Sequence, residues 1–236
     1  MVEVRAHTAR VKGKTAHPRY SRAERIADAA LHVIGVIAAL IAVPVMVTLA
    51  AVWYGDASTI GAALIYGVSL IAMLTCSACY HMARHGRAKQ ILRRLDHAAI
   101  YVKIAGSYTP LAVLLAGDAA PSILAGIWGA ALVGVAFKMV SARRWEGLTL
   151  TLYLAMGWAV VVIGGPILNG VSNATFMLIA AGGGLYTIGV VFLYWERLRF
   201  HNAIWHAFVL IASFLIYAAI LLEVMRHASG ISDGSA

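Results

Sequence analysis

Seven stretches of about 20 mostly apolar residues, at 26–54, 59–82, 95–115, 121–140, 148–168, 174–195 and 203–224, leave this chain few ways to fold. Each is long enough to cross the hydrocarbon core of a bilayer as a helix, where every backbone N–H and C=O finds its partner within the segment. Short polar breaks separate the stretches, for example at Gly55-Asp56, Gly117-Asp118 and Asn169 to Asn173. The composition agrees, with 61% of residues hydrophobic and 12% charged, where a soluble domain has roughly half and a quarter. The expected fold class is an all-α integral membrane protein. It reads as a seven-transmembrane-helix bundle over 26–225, with a basic arm at 1–25 and a short tail at 226–236, lying multi-pass in the cell's inner (plasma) membrane. The arm is polar and does not read as a signal peptide.

The basic residues orient the bundle. Of 19 Lys and Arg, 17 fall in four places: the arm, the Arg84–Arg94 loop, the Lys138–Arg144 turn and the Arg197–Arg199 turn. With seven spans all four lie on one side, so the positive-inside rule predicts a cytoplasmic N-terminus and an outside C-terminus. The net charge of +9 then reads as a topology signal and a contact for anionic lipid headgroups at the cytoplasmic face. No aromatic-basic module accompanies the charge, so nucleic acid is not an expected partner; membrane lipids are. The oligomeric state is not legible.

Some residues have plain structural readings. Cys76 and Cys79 read as small packing residues on a membrane helix, despite C-x-x-C spacing. The glycines at 164–165 and 182–184 read as sites of close helix approach. Pro110 frees a carbonyl in the third span that neighbours must satisfy. Lys103 sits well inside the third span, and is expected either to snorkel to the cytoplasmic face or to pair with a carboxylate.

The histidines do not fit a plain packing account. His32, one turn beyond Asp28, lies near the start of the first span. His81 ends the second, Asp96 and His97 begin the third, and His201 and His206 open the seventh. On the seven-span topology all fall at the cytoplasmic face. Imidazoles and a carboxylate at that depth are costly and mark a functional site by default, either a metal site or a proton-handling one. Imidazole and carboxylate donors suit zinc, which in catalytic sites keeps three protein ligands and an open position for water. Ser77 shares a helix face with His81 and can hydrogen-bond a ligand or the water. Asp96 can act as base or orient that water.

These residues resemble the hemolysin III family, the bacterial branch of the progestin and adipoQ receptor family. The resemblance rests on Glu24, Asp28 and His32 (E-x3-D-x3-H), on Ser77-x-x-x-His81, on the run LDHAAIYVKIAGSYTP from Leu95 to Pro110, and on NAIWHAFVL from Asn202 to Leu210. It implies a seven-helix bundle with a cytoplasmic N-terminus and a zinc site near that face. The implied ligands are the histidine of S-x-x-x-H and both histidines of H-x-x-x-H on the last span, with an aspartate of the third span holding the bound water. His81, His206 and Asp96 match those positions. Relatives include ceramide-hydrolysing enzymes, whereas the family label implies pore formation.

The chain departs from the pattern at 202, where Asn202 stands in place of a histidine. His201 precedes it, five residues from His206. Five residues turn a helix by about 500°, which leaves the two side chains about 140° apart. A π-bulge or a non-helical start at His201 would bring them together. Otherwise His32 completes the shell, Asn202 serves as a weak oxygen ligand, or no tight zinc binds. A further histidine expected in mid-span is Ile216 here. Three functions follow as expectations. One is a zinc-dependent hydrolase of a lipid amide or ester, with Asp96 as base and Ser77 nearby. Another is a lipid-sensing or regulatory protein in which zinc staples helices. The last is a pore-forming protein, which few internal charges favour least.

Overall fold

The computed structural model describes residues 20–84, 86–140 and 146–228, and these form helices joined by turns. Most of the basic arm, the tail beyond Ala228 and Arg143 and Arg144 lie outside the described residues. The elements are α1 (Arg22–Trp53), α2 (Ala57–Met82), α3 (Arg87–Leu115), a 3-10 turn (Gly117–Ala119), α4 (Ala120–Val140), α5 (Glu146–Ile163), the one-turn α6 (Gly165–Leu168), α7 (Asn173–Tyr194) and α8 (His201–Ala228).

Six of these are long and apolar enough to cross a membrane: α1, α2, α3, the 3-10 turn with α4, α7 and α8. The fifth apolar stretch, which the sequence reads as one span over 148–168, is broken. Its apolar helix runs Gly147–Ile163, and Gly164 separates it from α6, whose first turn carries Pro166. Proline pre-sets the first turn of a new helix but cannot continue the old one. Elsewhere the helices outrun the apolar stretches. α3 begins eight residues before Leu95, through Arg87–Arg94, because a polar, good helix-forming run extends the helix without raising its hydropathy.

Local chemistry sets the ends. Ser21 caps α1 in a reciprocal box: Glu24 N–H donates to Ser21 Oγ at 3.2 Å and Ser21 N–H donates to Glu24 Oε2 at 2.7 Å. Asp56 caps α2 by accepting from Thr59 N–H at 2.9 Å. Phe200, with φ of 61°, turns the chain from α7 into α8 in a left-handed conformation that a bulky residue adopts only under constraint. Its N–H donates to Glu24 Oε1 at 3.0 Å, so the box that starts α1 also holds the turn that starts α8.

Sequential neighbours pack against one another, and α8 returns against α1, so that α2 and α3 lie most enclosed. Residues such as Ile34, Ile41, Val68, Val140 and Val162 point outward from the bundle, as a bilayer-facing surface requires. Close approach depends on small residues. A Cβ on Gly106 of α3 would collide with Ser69 of α2, and Gly182 of α7 packs against Ile216 and the Ala212 carbonyl of α8. Below Pro110, Thr109 Oγ1 donates to the Ala105 carbonyl at 3.0 Å and accepts from Trp128 Nε1 at 3.2 Å. The starts of α1, α3 and α8 and the end of α2 meet at one end of the bundle, which positions the site.

Candidate metal centre

Four residues converge at that end: Asp28 and His32 from α1, His81 from the last turn of α2 and His206 from the second turn of α8. Each offers one donor atom, and the four atoms lie within 4.8 Å of one another. Asp28 is the hub. Its Oδ1 accepts from His206 Nδ1 at 2.6 Å, and its Oδ2 lies 3.3 Å from His81 Nδ1 and 3.8 Å from His32 Nε2. The rings form a triangle, with centroids 5.0 Å apart for His32 and His81, 4.4 Å for His32 and His206, and 4.4 Å for His81 and His206.

The local sequence explains the convergence. Glu24, Asp28 and His32 recur every four residues and so share one face of α1. Glu24 fixes the helix start and the α7–α8 turn, while Asp28 and His32 project into the bundle one and two turns on. α8 is helical from His201, so no bulge brings His201 into phase with His206. His201 instead faces the other way: its Nε2 lies 3.2 Å from Tyr20 Oη and its Nδ1 3.3 Å from the Phe192 carbonyl. The structure therefore places His201 outside the group and His32 within it. Asn202 stands at the edge, its side-chain amide 3.3 Å from His81 Nδ1.

The donor set fits a metal ion on two observations. His32 Nε2 is buried, has no hydrogen-bond partner among the described residues and faces the carboxylate hub. A buried ring nitrogen without a partner is expensive unless something else binds it. The four donor atoms also lie within 4.8 Å of one another, and zinc bound at roughly 2.0–2.1 Å in tetrahedral geometry needs its ligand atoms about 3.3 Å apart, which side-chain adjustment at the site can supply.

Asp96 is buried but lies outside the four-residue group; Ser77 faces its carboxyl. Both line a cavity of about 510 Å³ that also touches His32, His81 and His206 and extends into the bundle between α3, α5, α7 and α8. His97 lines its mouth, and its carbonyl accepts from Tyr153 Oη at 2.8 Å. Lys103 neither snorkels nor meets a carboxylate: it is 4% exposed, and its Nζ donates to Tyr186 Oη at 2.6 Å. Sequence reasoning missed Asp28 as a donor. The signal was present in the i, i+4 spacing of Asp28 and His32, the same pattern that placed Ser77 beside His81.

A helical multi-pass membrane protein with a buried Asp/His cluster at one end of its bundle is the class these features define. The chain belongs to the hemolysin III family: the family model described as haemolysin-III related matches residues 21–217. It is 37% identical over 209 residues to Hemolysin-3 of Bacillus cereus, covering 87% of this chain and 94% of that protein. It is 38% identical over 204 residues to the Hemolysin-3 homolog of Bacillus subtilis (strain 168), covering 86% and 95%. It is also 31% identical over 175 residues to human monocyte to macrophage differentiation factor, covering 70% and 71%. Such a multi-pass helical protein is consistent with the inner membrane.

Proposed function

We propose that this protein is a zinc-dependent hydrolase of a lipid amide or ester, built as a seven-crossing bundle with its N-terminus in the cytoplasm. The observation that carries the reading is the convergence of Asp28, His32, His81 and His206, whose three histidines line a cavity that also holds Ser77 and Asp96. His32, His81 and His206 would hold the zinc through ring nitrogens. A zinc ion held there would supply a bound water of pKa about 7 and a Lewis acid for a carbonyl. The Asp96 carboxylate takes the proton of the attacking water and returns it to the leaving amine or alcohol, as the acyl C–N or C–O bond breaks. Ser77 steadies that carboxylate. The apolar cavity wall excludes bulk water and seats the acyl chain.

Two observations support the topology. Asp28 near the start of α1 touches His206 near the start of α8, and both can begin at one face only if the chain between crosses an even number of times.

 An even count is supported if α1, α2, α3, α4 and α7 make five crossings before α8 and α5 continued by α6 makes the sixth. The 18 residues of α5 reach about 27 Å at 1.5 Å per residue, close to the hydrocarbon thickness of about 30 Å. The basic residues then lie at the site's own face, which the positive-inside rule puts in the cytoplasm.

The test is turnover of ceramide and of a neutral lipid ester by the purified, zinc-loaded protein in micelles. Asp96→Asn is expected to lower the rate about 10²- to 10⁴-fold, the usual size of a general-base contribution, while zinc content is unchanged. A wild-type protein that binds zinc and turns over neither lipid class contradicts the enzymatic reading.

One observation favours a second reading, a lipid-sensing or regulatory protein with structural zinc. If Asp28 joins the three histidines as a ligand, four protein donors close the tetrahedron, as structural sites do. If Asp28 instead accepts the His206 Nδ1 proton and orients that ring, a position stays open for water. The 2.6 Å Asp28–His206 contact has the geometry of the orienting role, which is why hydrolysis is preferred here.

A further inference from the structure

Lys103 is a buried cation in the middle of a membrane helix. Its Nζ donates to Tyr186 Oη at 2.6 Å and lies 4.7 Å from the centre of that ring, and among the described residues no carboxylate lies within ion-pairing distance of it. Tyr186 is committed to the arrangement: it accepts from Lys103, and its hydroxyl shares a hydrogen bond of 2.6 Å with Ser213 Oγ, which is fully buried on α8. An ammonium carries three N–H donors, and Tyr186 takes one. A charge held in this way, without a counter-ion, is costly inside a membrane protein and marks a binding or transport site.

Lys103 also lines the cavity that reaches the Asp/His cluster. Asp96 and Lys103 are seven residues apart on α3, which puts them on one helix face about 10 Å apart along its axis. Beyond Lys103 the walls turn apolar, with Leu111, Val160, Ile179 and Ile216. Arg93 and Lys138 also line the cavity, at the Asp96 end, so Lys103 is the base that stands beside the apolar chamber, whose volume suits a small-molecule ligand.

We propose that Lys103 and Tyr186 form an anion-binding subsite that holds the acidic head of a single-chain amphiphile, with its alkyl chain among Leu111, Val160, Ile179 and Ile216. The ammonium supplies charge-assisted hydrogen bonds to a carboxylate or phosphate oxygen, and the ligand supplies the missing counter-ion. The subsite shares the cavity of the proposed hydrolase and needs neither its metal nor its chemistry.

The experiment measures binding of palmitate, 1-palmitoyl lysophosphatidate, hexadecanol and inorganic phosphate to the full chain in neutral micelles. Palmitate or lysophosphatidate is expected to bind about 10- to 100-fold tighter than hexadecanol, the size of a hydrogen bond to a charged group. The tighter of the two names the head. Lys103→Gln and Lys103→Met are expected to lose that preference and Lys103→Arg to keep it; Gln guards against a Met variant that does not fold. Binding of palmitate is expected to persist in His81→Ala, so loss of the metal centre and loss of the anion subsite are separable. Equal binding of hexadecanol, preference unchanged in Lys103→Gln, loss of palmitate binding in His81→Ala alone, or inorganic phosphate binding as tightly as the amphiphiles would each overturn the proposal.

Discussion

Asp28 on the first helix and His206 on the last, 178 residues apart in sequence, are joined by a hydrogen bond of 2.6 Å between Oδ1 and Nδ1. The same carboxylate faces His81 and His32. Removing it leaves a buried imidazole N–H without its acceptor, a loss of about 1–3 kcal/mol. Asp28→Ala is therefore expected to lower stability by about that amount in chemical or thermal unfolding. Asp28→Asn keeps an acceptor at Oδ1 and is expected to cost less. Equal stability of Asp28→Ala and wild type would argue that the hub is not formed.

Glu24 ties the two ends of the domain together by capping α1 and accepting from Phe200 N–H. Glu24→Ala is expected to speed hydrogen exchange at the Phe200 amide and at the first turn of α1. It is also expected to weaken zinc retention, because the α8 start that carries His206 loses an anchor. Exchange confined to α1, with Phe200 still protected, would show that the turn holds itself.

Much of this bundle is legible in the sequence because twenty apolar residues admit few conformations in lipid. The break at Gly164 and Pro166 is less so: both occur inside membrane helices, and hydropathy does not register where a helix stops. At the site, His81 and His206 stand out because polar groups at a span end need a reason. The phase argument separates His201 from His206, but it does not choose among replacements. That choice depends on how α1 rotates against α2 and α8, a packing outcome that pattern alone does not fix. The spacing of Asp28 and His32 puts them on one face of α1, but only the packing turns that face toward His81 and His206.

Gly106 of α3 lies directly against Ser69 of α2, with no room for a Cβ between them. Gly106→Ala is expected to destabilise the fold by about 1–3 kcal/mol, the usual cost of overpacking. Since the collision is with the Ser69 side chain, Gly106→Ala with Ser69→Gly is expected to recover much of the loss, a coupling that a double-mutant cycle in thermal unfolding reads directly. Additive losses would place the strain elsewhere.

At the opposite end of α2, Asp56 accepts from Ser58 Oγ and Thr59 N–H, and these bonds hold its carboxyl below the usual carboxylate range. A carboxylate with a lowered folded-state pKa contributes stability that is present above its unfolded pKa and is lost as pH falls through the folded one. Unfolding is therefore expected to become easier below about pH 4, where an unperturbed aspartate begins to take up its proton. Asp56→Asn, which caps without titrating, is expected to flatten that part of the profile. An unchanged acid limb would assign it to other carboxylates.

The central claim is that Asp28, His32, His81 and His206, and not His201, make the metal centre. Metal analysis of the purified protein after zinc loading and desalting tests it most directly, on the wild type beside His32→Ala, His81→Ala, His206→Ala and His201→Ala. About one zinc per chain is expected in the wild type and in His201→Ala, with loss in the other three. A wild type without zinc at saturation, or zinc lost from His201→Ala and kept by His32→Ala, would contradict it.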